Sequence, residues 1–450
     1  RAFLLLDGAR TRADRGLGLW GRSHAALAAL GLQQLLDDRE RSHFIPPAAY
    51  RSRRGDWLSR CSHASRNAQR VCTLREPELL AALREGLPEA QVRRGTGAIG
   101  AERTSEGELR LHLSDGGQVE PTVLVGADGA DSLVRRALFP SAGVEARDTG
   151  FVAYGGTLDL RALPASLSFH EPLAFETLSG GARFALVPLP SGGCFWFATT
   201  PRGAVEENIS DATTADGRHP TLAALHHIFR EWHEPIGKVL LAAIRKEAEQ
   251  ASASSSSIRV DPLAEVKVRR WWDGRTVLVG DAAHALPINL AQGAALSIEG
   301  AFLLGQQLAR LDVSSANEAE LHDAFSAYQG QHERRVAQCR SVTAFTQMLA
   351  SPKSELTEAA RNMMRFVPQV SLCWPLRASR ELSWLLASVF ASVVLPLGTD
   401  GVGIDIMAAT QWPSLRLFSG FQPGRFSSKH SCTLAARHSW RSNKGLIRSL

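Results

Sequence analysis

The chain has 450 residues, 44% of them hydrophobic and 21% charged, which excludes a disordered chain and predicts roughly two or three domains. The formal net charge of +6 gathers in Arg10–Arg15, Arg51–Arg54 and the C-terminal tail. With no zinc-finger spacing and no aromatic–basic RNA signature beside it, this charge reads as a solvated basic face that suits anionic ligands, not as a nucleic-acid site.

In chain order, Ala2-Phe-Leu-Leu-Leu-Asp7 reads as a strand and the charged Arg10–Arg15 as a loop. Gly16-Leu-Gly18-Leu-Trp-Gly21 has the spacing of a dinucleotide turn, but it follows that loop and counts as a false match. Thr73-x-x-Glu76 has the form of a capping box opening a helix Glu76–Glu85 that Gly86 closes, with Leu79, Leu80 and Leu83 as its buried face. Arg75 then stands at the helix entrance, where a cation opposes the macrodipole and a bound anion would offset it.

Pro121–Arg136 is an apolar strand running into a small-residue turn, Asp128-Gly129, with Asp131 or Ser132 as the cap of a following helix. From Phe151 the pattern turns to β-rich runs, Ala182–Pro190 and Gly193–Thr199 among them, that predict an antiparallel sheet. Residues 220–250 read as helical and Ser252–Ser257 as a polar connector. Trp271 and Trp272 read as packing residues.

Thr276-Val-Leu-Val-Gly-Asp-Ala-Ala-His284, followed by Gln292-Gly293 and a long helical pattern, is again a strand, a glycine and an aspartate before a helix. Small residues there let a phosphate-bearing ligand approach the main chain. A carboxylate repels phosphate, so Asp281 makes sense as an acceptor for the hydroxyls of a neighbouring polyol or ribose.

Two such strand ends, about 150 residues apart, resemble the paired motifs of the single-component FAD-dependent monooxygenases, the family of aromatic hydroxylases, salicylate hydroxylase and zeaxanthin epoxidase. The resemblance spans roughly residues 1–345. It implies an α/β fold: a Rossmann-like FAD-binding domain with an inserted antiparallel-sheet substrate domain and C-terminal helices. The expected division is FAD-binding domain 1–150, substrate domain 151–260, FAD-binding domain again 261–345, and C-terminal helices with a tail over 346–450.

By the same resemblance the cofactor is FAD, held by Asp7, Arg75, Asp128, Gly129, Gly280, Asp281, Gln292 and Gly293. NAD(P)H and O₂ are co-substrates, and a C4a-hydroperoxyflavin hydroxylates or epoxidises a small aromatic or polyene. A reductase on the same scaffold, or an inactive flavoprotein, is the alternative. No residue is assigned as catalytic, because the cofactor carries the chemistry; His284 is expected to pack or to hydrogen-bond. Tyr154 and Arg183 are candidates for the substrate wall.

Several positions depart from the family pattern. Relatives open with a strand, a G-x-G-x-x-G turn and a helix. Here Ala2–Asp7 matches their second strand, Asp7 the acidic residue for the adenosine ribose, and Gly18–Leu32 the helix that follows. About thirty residues are therefore expected to be missing before Arg1. Ala291 replaces a glycine and is strained if its φ is positive. Glu299-Gly300 stands for Glu-Asp, and Tyr154-Gly155-Gly156 has glycine where many relatives have arginine.

Six cysteines (Cys61, Cys72, Cys194, Cys339, Cys373, Cys432) without a C-x-x-C pair argue against zinc or a disulfide framework and fit a reducing, cytoplasmic compartment. Trp384–Leu397, fourteen residues, is short for a bilayer span; it reads as a buried helix, with a monotopic membrane contact as the alternative. The last fifty residues carry no usable pattern.

Overall fold

The two motif strands lie side by side. Leu124–Gly126 pairs in parallel with Thr276–Leu278 in the register Leu124↔Thr276, Val125↔Val277, Gly126↔Leu278. Trp272–Asp273 adds an antiparallel strand to the Thr276–Leu278 edge. This is seen in a computed structural model that describes residues 4–7, 14–45, 49–59, 71–169, 174–212, 219–249, 258–288 and 291–350. Ser252–Ser257, Trp384–Leu397 and the C-terminal tail lie outside the described residues.

Leu5–Asp7 pairs in parallel with Val92–Arg94. A three-stranded antiparallel sheet (Ala98–Arg103, Leu109–Leu113, Gln118–Val119) turns Leu109, Leu111 and Leu113 inward by the period-2 rule. Those leucines join one core with Val277, Leu278, Trp271 and Trp272. The helices Gly293–Leu308 and Glu318–Ala350 close that core with Leu296, Leu304, Leu321, Phe325 and Tyr328. Both tryptophans are buried there, as packing residues should be.

The large sheet has seven strands in the order Arg259–Val268, Val144–Asp159, Gly193–Pro201, Ala182–Pro188, Phe175–Ser179, Ala49–Ser52, Trp57–Ser59. It thus begins at Val144 and takes two strands from before residue 60. One face packs Tyr154, Phe184, Leu186 and Trp196 against the helices Ala204–Ala212, Pro220–Phe229 and Ile236–Glu249. Phe184 stacks on Trp196 at 6.0 Å and meets Phe229 edge-on at 5.6 Å, the geometries the ring quadrupole favours. The other face carries Ala153, Ala185, Val187, Phe195 and Phe197.

A further three-stranded sheet corrects two expectations. Gly16–Leu19 is a strand, antiparallel to Val71–Arg75, and only from Gly21 does the chain become helical, over Gly21–Ala29. Its glycine serves packing, because a methyl group on Gly16 would lie 2.6 Å from Cβ of Phe195. Thr73 does not cap a helix. It is buried in Val71–Arg75 and donates to the carbonyls of His43 (3.1 Å) and Pro188 (2.9 Å). The helix Glu76–Glu85 forms as predicted, but its N-cap is Arg75, with no side-chain bond. It buries Leu79 and Ala82, while Leu80 is exposed.

Among the described residues no helix is long and apolar enough to cross a membrane.

Candidate functional site

Both motif strands end at the rim of one cavity of about 1460 Å³, which Asp128, Gly129, Asp281, Gln292 and Gly293 all line. Its opposite wall is the open face of the seven-stranded sheet.

The turn after Thr276–Leu278 depends on Gly280. Its φ of +59° and ψ of −138° belong to a region that only glycine enters without strain, and a methyl group there would meet Oγ of Ser297 at 2.7 Å. The chain then makes one helical turn, Asp281–His284, which leaves the Asp281 carboxylate exposed to the cavity. Gly293 opens the next helix, and a methyl group on it would stand 4.0 Å from Oδ1 of Asp281. Polar acceptor and bare backbone therefore face the same space.

At the other strand end, Gly129 turns with φ +85°. Asp128 accepts from the Ser132 hydroxyl and, at 3.1 Å, from the Val134 N–H. Ser132 is the N-cap of Leu133–Leu138 and accepts from the Arg135 N–H at 2.9 Å. Asp128 thus shapes its own turn as well as lining the cavity.

Two buried arginines fasten the site, and the sequence reading found neither. Arg135 donates from Nη1 to the carbonyl of Ala282 (2.8 Å) and from Nη2 to that of Ala130 (2.6 Å), so it clips one motif loop to the other. Arg335, from the helix Glu318–Ala350, donates to Oε1 of Gln292 (2.8 Å) and Sγ of Cys339 (3.0 Å), and pairs with Glu299 at 3.4 Å. Glu299 is buried. Desolvation raises its pKa, and the Arg335 charge works against that rise. Gly300 is in van der Waals reach of the His332 ring, 3.2 Å from where a β-carbon would be.

The remaining candidates sit elsewhere. Arg75 is held by Asp14, Nε to Oδ2 2.6 Å, and lines a separate cavity of about 550 Å³. The arginine that reaches the main cavity at this helix entrance is Arg15, paired with Glu76 at 2.8 Å. Asp7 ends its strand bound to Arg84 at 2.6 Å and is not part of the cavity wall.

His284 is buried beside Trp271 (4.9 Å) and His332 (5.5 Å), and its pKa is pushed down to about 3, mainly by burial. Burial thus favours the neutral ring at this packed position. Tyr154 points into the helix-covered core, and Ala153 takes the cavity position. Arg183 is buried in a pair with Glu176, and Glu176 is the partner that lines the cavity.

A family model described as "FAD binding domain" matches residues 7–340. The chain belongs to the single-component FAD-dependent monooxygenase family. It is 30% identical over 315 residues to the 2-heptyl-3-hydroxy-4(1H)-quinolone synthase of Pseudomonas aeruginosa, covering 70% of this chain and 74% of that one. It is 32% identical over 223 residues to the aurachin C monooxygenase/isomerase of Stigmatella aurantiaca, covering 49% of each, so it spans about half the length of that relative. In fold it resembles Klebsiella pneumoniae HpxO complexed with FAD and uric acid, with a TM-score of 0.59 at 19% identity over 80% of this chain and 85% of that one.

FAD is accordingly the cofactor. The cavity accommodates it by its own features: a volume larger than the roughly 300–1,000 Å³ of drug-sized pockets, and an acceptor at Asp281 beside bare backbone at Gly293.

Proposed function

We propose that this chain is a monooxygenase that uses FAD, NAD(P)H and O₂ to hydroxylate or epoxidise a small aromatic or polyene. The observation that carries the reading is the meeting of the Leu124–Gly126 and Thr276–Leu278 strand ends at one cavity, whose far wall is a sheet face with Ala153, Ala185, Val187, Phe195 and Phe197 at its centre. The two relatives named above, a quinolone synthase and an aurachin C monooxygenase/isomerase, support it.

In this reading Asp281 accepts hydrogen bonds from the polyol of FAD, while Gly293 and Gln292 offer backbone at a helix start. Gly280 and Gly129 shape the two loops. Asp128 keeps its turn closed more than it reaches the ligand. Arg15 supplies positive charge where relatives use the arginine of this helix entrance, while Asp7 and Arg75 are paired with Arg84 and Asp14 away from the cavity wall. The 151–260 stretch, with the strands it recruits, is the substrate domain. When bound, FAD supplies the redox chemistry, taking hydride from NAD(P)H and activating O₂. The protein's share is to orient the substrate and keep water out, which Phe195, Phe197 and Val187 do along the sheet wall.

The test is the visible spectrum of the purified protein, followed by NAD(P)H oxidation against phenols, polyenes and quinolones. Yellow protein with substrate-stimulated oxidation is expected; colourless protein that takes up no added FAD refutes the reading. Asp281→Ala should weaken FAD binding about 10- to 100-fold, the worth of one or two charge-assisted hydrogen bonds. Unchanged retention would remove Asp281 from the site.

A further inference from the structure

The middle strands of the substrate wall, Phe175–Ser179, Ala182–Pro188 and Gly193–Pro201, line the cavity with apolar residues except at one spot. Across six strands of the large sheet the register aligns Tyr50, Glu176, Ala185, Phe197, Gly155 and Arg259 on a single rung. Glu176 lies in the middle of the apolar stretch, with its side chain 7% exposed, and it lines the cavity. A carboxylate in such a place is costly unless it is paired, and Arg183, 3% exposed, is its partner. Nε and Nη2 of Arg183 both meet Oε1 of Glu176. Oε2 takes no hydrogen bond among the described residues.

Beside it on the rung, the Tyr50 phenol is kept protonated by burial and by the Glu176 charge. On the other side Ala185 is small, and one strand further Phe197 is aromatic, so the wall beside Oε2 suits a planar ring.

We propose that Glu176 is the specificity-determining residue of the substrate wall. Its Oε2 accepts a hydrogen bond from a ring N–H of a planar, otherwise apolar heteroaromatic substrate, and Arg183 holds the carboxylate in place. This deepens the monooxygenase reading and rests on it. An apolar wall alone discriminates poorly, whereas a buried acceptor left unpaired rejects any ring that lacks the donor.

The test is calorimetric titration of the FAD-loaded protein with 2-methyl-4(1H)-quinolone and with its N-methylated counterpart, 1,2-dimethyl-4-quinolone. The N–H ring should bind about 5- to 100-fold more tightly, the cost of an unmet buried acceptor. In Glu176→Gln the amide oxygen stays on Arg183 and the NH₂ turns to the cavity, so the preference should collapse to near one or invert. Equal binding of the two rings by the native protein, failure to bind either, or an unchanged preference in Glu176→Gln overturns the assignment. Should Glu176→Gln not fold, the ratio measured on the native protein decides alone. Loss of FAD would refute the monooxygenase reading instead, and the same titration of flavin-free protein still reads the Glu176 preference.

Discussion

Replacing Arg335 by methionine separates the charge of the site's anchor from its bulk. Arg335 is buried, pairs with Glu299 at 3.4 Å and holds the Gln292 amide at 2.8 Å. Removing one partner of a buried pair strands the other, at a cost of about 3–5 kcal/mol. That is a large part of a total stability of about 5–15 kcal/mol. The cost should also depend on pH in a stated sense. Burial already raises the Glu299 pKa above its unfolded value, and Arg335 restrains the rise.

Without Arg335 the folded carboxyl binds its proton more tightly still. Between the unfolded pKa of about 4.3 and the raised folded value, the folded state holds more protons, so stability falls as pH rises, by up to about 1.4 kcal/mol per pH unit. Arg335→Met should therefore be mildest near pH 5 and worst near pH 8. Urea denaturation followed by tryptophan fluorescence, across that range and at one FAD concentration, measures it. Glu299→Gln in the same background should recover more than about 1 kcal/mol at pH 8, because it removes the stranded charge. A loss that is small and flat with pH, or no recovery in the double variant, would refute the account of this pair.

Ala291 has φ +48°, a left-handed conformation that costs a non-glycine residue about 1–2 kcal/mol. Ala291→Gly should raise stability by about 0.5–1 kcal/mol, after the extra unfolded-chain entropy of glycine is set against the relief; an unchanged or lower denaturation midpoint contradicts the strain. Arg135→Met orphans the carbonyls of Ala282 and Ala130 and should cost about 2–4 kcal/mol by urea denaturation, together with weaker flavin retention, while Arg135→Lys recovers part of both. Equal stability of Arg135→Met and the native protein would show that the clip contributes nothing.

What could be read from sequence was local. A short apolar strand, a glycine, an aspartate and a helix start are contiguous in the chain, so the Asp128 and Asp281 turns and the Ser132 cap are visible without a fold. The alternation that makes residues 151–199 a sheet is equally local, but it does not say which face meets the cavity. Ala153 and Tyr154 are adjacent, and only the helices packed over Tyr154 decide between them. Thr73 shows the limit from the other side: its capping-box spacing is genuine, yet pairing with His43 and Pro188 draws it into a strand. Arg135 and Arg335 were out of reach because their partners lie far along the chain, and Glu176 because only the folded sheet shows which face meets the cavity. Ala282 is 147 positions from Arg135, and Gln292 is 43 from Arg335.

These arginines also make cofactor affinity and fold stability one problem. Arg135 ties Asp128's loop to Asp281's, and Arg335 ties Gln292 to the long helix, so neither loop takes its shape without a buried cation that the core must accommodate. A ligand held by both loops binds only the state in which both clips are made. It therefore stabilises that state by RT ln(1 + [L]/Kd), about 2.7 kcal/mol at a hundredfold excess over Kd. The clips and the flavin are then partly redundant. A variant that loosens one clip should look most damaged without flavin and recover toward the native protein as flavin is added. A loss that persists undiminished at saturating FAD would place the damaged contact in the general core and not at the cofactor loops.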